Sequence, residues 1–583
     1  MKNRFIKQFL MAVAIVTGFT SCKKILDVKP EDQLDVTQMY RNVYDADAAV
    51  IGIYGKFMGL AERYVLLNEL RADMLDVTAN ADQYLRQLSA HSVTPDNPYA
   101  NPRPFYELIV NCNDVLKHFN IMRDENKLKQ SEYDQRYSDI AALRSFLYLQ
   151  LGIHYGDQVR YVTDPLENIN DVMDESKFPP LTFNVLLDSL INFTEALPYK
   201  LEYPSGTTLN ITVDGYQTEN FYINKRVLLG DLHLWKGDYE RAAYWYRQVM
   251  ETATTGAAGE VYYSKYKLGW AGKFNHYVSY SRAGDASSLV WSDGWRYMFE
   301  RPQDDGFDAE WIWVLPFDDK FKPDNPLVKL FSPIGGNYLV RPSQSAIDNW
   351  NSQQQRPAQG TPGIPYDARG LFTWTNIGGQ PVVMKYLYNY LNYNTNTPLN
   401  FLQKDGKWFL FRQTQLHMRF SEAANRLGRH LLAWGLLNNG IAGAYPAPTS
   451  NVTNYHNTLT DPDPVFQFDA RNSGSSGIPY YRADWYRNIG IRARANLENL
   501  DVPASDSLLQ IEDDLINETA LENGYEGTRW ADLLRIALRR NDLSFIAKKV
   551  GDKLRKDGMP GEAAKAEAKL STKDGLYLPF VWK

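Results

Sequence analysis

The chain has 583 residues, 44% of them hydrophobic and 23% charged, with 14 Trp, 38 Tyr and 26 Phe. That balance is globular, and the length is ample for a large buried core. Two cysteines exclude a disulfide scaffold and a four-cysteine zinc site, and a net charge of -6 argues against nucleic acid, which demands a basic face.

Residues 1–21 read as an export signal. Lys2, Arg4 and Lys7 form a basic start, and Phe9 to Val16 form an apolar run too short to span a bilayer as a helix. Phe19-Thr20-Ser21-Cys22 resembles a bacterial lipobox, in which Cys22 is acylated and becomes the first mature residue. Several acyl chains on one cysteine anchor a protein firmly, since each buried methylene contributes about 0.8 kcal/mol. Starting at Cys22 the chain carries 60 basic and 69 acidic groups, because the leader holds three cations and no acid. The other cysteine, Cys112, lies in the apolar stretch YELIVNCNDVL and reads as a small core residue.

Residues 22–35 are polar and read as a tether. From there the periodicity predicts helices over Val36 to Met58, Phe105 to Phe119, Tyr133 to Tyr155 and Leu181 to Leu197. Gly156 and Pro198 supply two of the stops. NKRVLLGDLHLWKGDYERAAYWYRQVM is a helix pair around Gly237-Asp238, with Leu228, Leu232 and Trp235 facing Tyr239, Ala242, Tyr246 and Val249. It resembles a tetratricopeptide hairpin, which is a packing device. Between about 256 and 410 helical periodicity fades. EWIWVLPF (Glu310 to Phe317) reads as a buried strand, PVVMKYLY (Pro381 to Tyr388) as a second, and the remainder as long loops of the kind that carry function. Helices return over Phe411 to Arg429 and Leu431 to Leu437. Residues 440–479 form an inserted loop. Asp506 to Glu522 and Tyr525 to Arg540 are helical, and Lys548 to Leu570 reads as one charged, solvated helix.

Catalytic and metal motifs are missing from the sequence. The eight histidines lie apart without metal-ligand spacing, and there is no HExxH, GxSxG or phosphate loop, so neither a metal nor a cofactor is expected. Glu526, Arg529 and Asp532, spaced by three, suit an exposed or half-buried salt-bridge network on a helix.

Seven segments, in order, resemble the SusD/RagB family of nutrient-binding outer-membrane lipoproteins. They are SCKKILDVKPEDQL, FYELIVNCNDVL, ALRSFLYLQLGIHYGD, NKRVLLGDLHLWKGDYERAA, FRQTQLHMRFSEAANRLG, RNIGIRARANL and INETALENGYEGTRWADLLRI. The resemblance implies a mostly α fold over residues 36–583. Tetratricopeptide-like pairs form the scaffold (about 36–255 and 411–540), and an irregular region (about 256–410) bears the ligand site. It implies a lipid anchor at Cys22, an outer-membrane location facing the cell exterior, and a SusC-like TonB-dependent transporter as partner. The protein would capture a glycan and pass it on without chemistry. Within the family the rival is a peptide ligand. From outside it the rivals are a surface glycosidase and a tetratricopeptide adaptor.

Two stretches offer the aromatic platforms and polar edges that sugars require. Trp291, Asp293, Trp295 and Arg296 form one. The loop before the second long helix, a region from which the resemblance implies ligand contacts, supplies Tyr84, Arg86, Asn97 and Tyr99 as the other.

Overall fold

The computed structural model describes residues 39–166, 175–252, 265–266, 295–300, 310–357, 363, 365–445, 457–468, 470, 490–501 and 507–581. Cys22, Trp291 and Asp293 lie outside them.

The described chain is mostly α, as the sequence predicts. Helix α1 (Val43–Met58) starts where the Asn42 side chain accepts from the backbone N–H groups of Tyr44 and Asp45, and it buries Val50, Ile53, Tyr54 and Phe57. A short strand β1 (Leu75–Val77) and helix α2 (Gln83–Ser89) precede the long hairpin of α3 (Arg103–Asp124) and α4 (Gln130–Tyr155). Helix α5 (Phe183–Glu195) leads into a second hairpin, α6 (Lys225–Lys236) and α7 (Tyr239–Met250). After strands β2 (Trp311–Phe317) and β3 (Val340–Pro342) come α8 (Gln344–Ser352), β4 (Trp374–Ile377), β5 (Gln380–Val383) and β6 (Gly406–Arg412). A third hairpin is α9 (Gln413–Arg426) and α10 (His430–Leu437). Helices α11 (Ser507–Asn523) and α12 (Arg529–Arg540) then lead to a fourth, α13 (Ser544–Lys556) and α14 (Pro560–Leu570). Within each hairpin the two helices pack together. The second packs on the third through α7 and α9, and α11 packs across α9 and α10.

The turn of the second hairpin depends on glycine twice. Gly237 ends α6 at φ 83°, a left-handed conformation that suits glycine, and the Asp238 side chain then accepts from the Arg241 N–H to start α7. A Cβ on Gly230 would lie 2.3 Å from the Tyr246 ring, so the closest approach of α6 and α7 occurs there, beside fully buried Ala242 and Ala243.

Three element predictions are corrected. Phe411 and Arg412 belong to strand β6 and not to the following helix, because they pair antiparallel with Trp313 and Trp311 of β2. The strand predicted over 381–388 ends at Val383, and the chain beyond it turns inward to bury Lys385, Tyr386 and Tyr388. The charged tail is two packed helices, with Ile546, Val550, Leu554, Ala563 and Ala566 turned into the core.

The core holds an unusual amount of charge. Arg369, Lys385, Arg412, Arg492 and Arg494 meet Asp367, Glu310, Glu518, Glu522 and Glu526, and every one of these side chains is 2% exposed or less. Arg412 donates to both Glu526 oxygens (2.7 and 2.9 Å), to Glu310 (3.1 Å) and to the Glu522 backbone carbonyl (3.0 Å). Glu522 also accepts from Arg494 (2.7 Å) and Arg369 (3.0 Å). Burial alone would raise the Glu522 pKa. The surrounding Arg494, Arg412, Arg369 and Lys385 overcome it and hold the carboxyl well below its usual range. Glu526, Arg529 and Asp532 are thus no surface network: all three are buried, and they pair with Lys385 and Arg412, with Asp73, and with Arg535 respectively.

A second buried acid joins the two ends of the domain. Glu69 sits in a π turn, Leu66–Leu70, and its Oε1 accepts from the backbone N–H groups of Gly527 (2.7 Å) and Thr528 (2.9 Å). Burial pushes its pKa up, the N–H donors pull it back, and it rests at about 7.

Two predictions follow from this core. Arg412→Met leaves Glu522 and Glu526 short of a cation and should cost about 3–5 kcal/mol in urea unfolding. A loss under 1 kcal/mol would mean that the network is dispensable. Glu69 titrates with the opposite sign from Glu522. An acid with a raised folded pKa keeps its proton preferentially when folded, so its contribution to stability is full at low pH and is lost as pH rises from about 4.3, the ordinary glutamate value, through about 7. The urea midpoint of Glu69→Gln should vary less over that window than that of the parent, and parallel profiles would refute the assignment.

Candidate functional site

The candidate surface that lies within the described residues is built on β1 and α2. Strand β1 pairs antiparallel with β3, Leu75 opposite Pro342 and Val77 opposite Val340. The loop leaving β1 is tied down by Thr78, whose hydroxyl donates to the Tyr338 carbonyl (2.5 Å), and by Asn80, whose amide donates to the Asn337 carbonyl (3.0 Å). Asp82 caps α2 by accepting from the Leu85 N–H (2.9 Å), and Leu85 and Leu88 turn inward. Tyr84 is thereby left half-buried and Arg86 exposed on the outer side.

Arg86 is held in one orientation without being used up. Its Nη2 donates to the carbonyls of Thr78 (3.2 Å) and Ala79 (3.0 Å), while Nε and Nη1 have no acceptor among the described residues. A guanidinium fixed by one nitrogen, with donors left over, is prepared for a hydroxyl or carboxylate ligand. Tyr99 is half-buried against the core, and burial raises its pKa to about 12, so its hydroxyl stays a donor at neutral pH.

Asn97 has a different role from the one its sequence position suggested. It is fully buried, donating to the Tyr84 carbonyl (2.9 Å) and to Gln87 Oε1 (3.0 Å) while its own oxygen accepts from the Tyr99 N–H (3.0 Å). Every polar atom is spent on holding the loop, so Asn97 positions Tyr84 and Tyr99 and offers nothing to a ligand.

Trp295 and Arg296 are likewise corrected. Trp295 has no exposed surface. Its indole N–H donates to Glu522 (3.1 Å), and its ring packs edge-on against Phe299 at 4.9 Å. A ring enclosed on both faces cannot stack on a sugar, and this one belongs to the charged core. Arg296 is buried, pairs with Glu300 (2.9 Å) and lies 4.0 Å from the Tyr393 ring centroid. These partners are remote in sequence from α2, and no described contact joins Trp295 or Arg296 to Tyr84, Arg86 or Tyr99.

Two further clusters escaped sequence reasoning. Asp318, Asp319 and Asp405 have carboxylate oxygens within 4.8 Å of one another, the one group with metal-holding geometry among the described residues. Protein donors already serve all three: the Tyr216 hydroxyl and the Lys320 N–H on Asp318, Gln403 on Asp319, and the Asp319 N–H on Asp405. The other cluster is a polar cleft of about 640 Å³ between α8, α12 and α13. Its walls come from segments about two hundred residues apart, so no local pattern announces it.

No protein-family model matches the chain, and no curated protein matches it. Solved structures do match. A SusD superfamily protein from Bacteroides vulgatus has a TM-score of 0.55 at 13% identity, over 92% of this chain and 99% of that one. A SusD-like carbohydrate binding protein from Bacteroides fragilis has a TM-score of 0.53 at 13% identity, over 87% of this chain and 88% of that one. Surface glycan-binding protein A from Bacteroides uniformis has a TM-score of 0.51 at 15% identity, over 85% and 88%. The described helix hairpins and short strands therefore share the fold of these solved proteins.

Proposed function

We propose that this protein is a glycan-binding lipoprotein of the outer membrane, which captures oligosaccharides and delivers them to a SusC-like TonB-dependent transporter without cleaving them. The observation that carries the reading is a likeness of fold, spanning more than four fifths of the chain, to two solved proteins named for carbohydrate and glycan binding. Arg86 adds to it, because an exposed guanidinium tethered through one nitrogen suits a sugar's hydroxyls. The lipobox-like Phe19 to Cys22 and the tether after it support anchoring at Cys22, on the exterior leaflet where a transporter lid would sit.

Calorimetric titration of the chain beginning after Cys22 with a panel of neutral and acidic oligosaccharides should give heat with one glycan class and no growth in reducing ends. Arg86→Ala should weaken that binding by about tenfold, the value of one charge-assisted hydrogen bond. Silence across the panel with heat from peptides would replace the glycan by a peptide, and rising reducing ends would make the protein a glycosidase. For the anchor, Cys22→Ala should abolish incorporation of a fatty-acid analogue and release the protein from membranes. Unchanged labelling would remove the lipoprotein reading.

A further inference from the structure

Leu402 is 87% exposed, more than any other large hydrophobic side chain among the described residues. Leu399 and Phe401 beside it are each 59% exposed, and Phe321 on an adjoining loop is 44% exposed. The loop that carries them is closely bonded. The Leu399 N–H donates to the Tyr390 carbonyl (2.8 Å), and the Asn392 side chain accepts from the N–H groups of Asn394 (2.9 Å) and Thr395 (3.1 Å). Asn400 accepts from the Leu402 N–H (3.1 Å) and donates to Gln403 Oε1 (2.6 Å). Gln403 in turn donates to Asp319 (2.9 Å), which fastens this loop to the one bearing Phe321. Apolar tips are held outward on a braced polar base.

The same edge continues onto α1. A Cβ on Gly55 would lie 4.0 Å from the carbonyl oxygen of Lys322, the residue after Phe321. Gly55 shares a helix face with Tyr44, Ala48 and Ile51, which are exposed and uncharged. That face starts beside Met39, where the described chain begins. At 1.5 Å per residue α1 is about 24 Å long. Residues 23–38, which join Met39 to Cys22, reach at most about 60 Å. A protein held at Cys22 can therefore bring this edge to the surface that holds it.

The chemistry of the edge favours lipid as its occupant. No charged residue lies between Lys385 and Lys404. The lysines flanking Phe321 are paired with acids, Lys320 with Asp214 and Lys322 with Asp324. Leucine and phenylalanine tips enter the boundary between headgroups and acyl chains with no charge to desolvate. A protein partner is selected by polar groups around an apolar centre, and here Asn392, Asn400 and Gln403 spend theirs on the loops themselves.

We propose that this edge is a membrane contact, in which Phe321, Leu399, Phe401 and Leu402 dip into the lipid surface and fix the protein's tilt on it. The nearness of that surface rests on the anchor at Cys22 proposed above, whereas the affinity of the edge for lipid does not. The two are therefore tested apart, one by acylation and the other on a chain that has no acyl group.

The test is flotation of the chain beginning after Cys22, which keeps every described residue, with phosphatidylcholine vesicles. The parent should float with the vesicles, and the double variant Phe401→Ser/Leu402→Ser should bind at least about tenfold more weakly. Leu431→Ser, which changes an exposed leucine on α10, should leave binding unchanged, and so should rising salt. Thermal melting checks that the variants are folded. This chain's own thiol, Cys112, is buried, so an environment-sensitive dye can be placed on Leu402→Cys alone. Its emission should shift to the blue when vesicles are added, while dye on Leu431→Cys should not respond. A parent that ignores the vesicles overturns the proposal, as does binding that survives Phe401→Ser/Leu402→Ser. Binding that requires anionic lipid or falls with salt overturns the apolar contact. Loss of a membrane-protein partner in the double variant, without any change in vesicle binding, assigns the edge to a protein instead.

Discussion

Glu522 is the side chain on which this fold turns. One carboxylate at the end of α11 is shared among Arg369, Arg412 and Arg494, while its backbone carbonyl takes Lys385 and Arg412 again. Those cations arrive from the chain before α8's neighbour strand β4, from the run after β5, from the end of β6 and from the segment at 490–497. Apolar packing tolerates small slips, but a guanidinium in a dry interior tolerates none, since every unmet donor is costly. Five cations and five acids pair with one another in one mutual arrangement of these segments. The short strands and helices between 310 and 412 are tied to that core through Glu310, Asp367, Arg369, Lys385 and Arg412.

This explains how a mostly helical protein carries ordered loops on its face. The helix hairpins bury their apolar sides against each other and leave the ends of β1, β3 and β6 in fixed places. Asn97 and Asp82 use their polar atoms to hold the loop and start α2, and Arg86 is tied to that loop through Nη2 alone. The division of labour is physical: Asn97, which holds the surface in place, is buried with its polar atoms spent, and Arg86 is anchored through part of its capacity only.

Much of the scaffold was legible in the sequence, because an apolar stripe of period 3.6 has no other economical reading. The helices over 103–124, 130–155 and 225–250 announced themselves in this way, as did β2 through its unbroken apolar run. Lys553 was misread for a plain reason. It lies in a charged tract and looks solvated, yet it reaches the Leu70 carbonyl and the Ser89 hydroxyl with no surface exposed. Trp295 could not be told from a stacking platform, since the acid that claims its indole lies more than two hundred residues away.

The Glu69 carboxylate has one more consequence, for the order in which the molecule comes together. It closes on Gly527 and Thr528 across more than four hundred residues, and Arg71 two residues later donates to the Leu576 carbonyl (2.8 Å). Early helices can form and pair locally, but the first hundred residues keep an open end until nearly the last turn of chain has been made. Contacts of such span are slow to form, because loop closure must come before any reward. A chain wired this way reaches its finished state late.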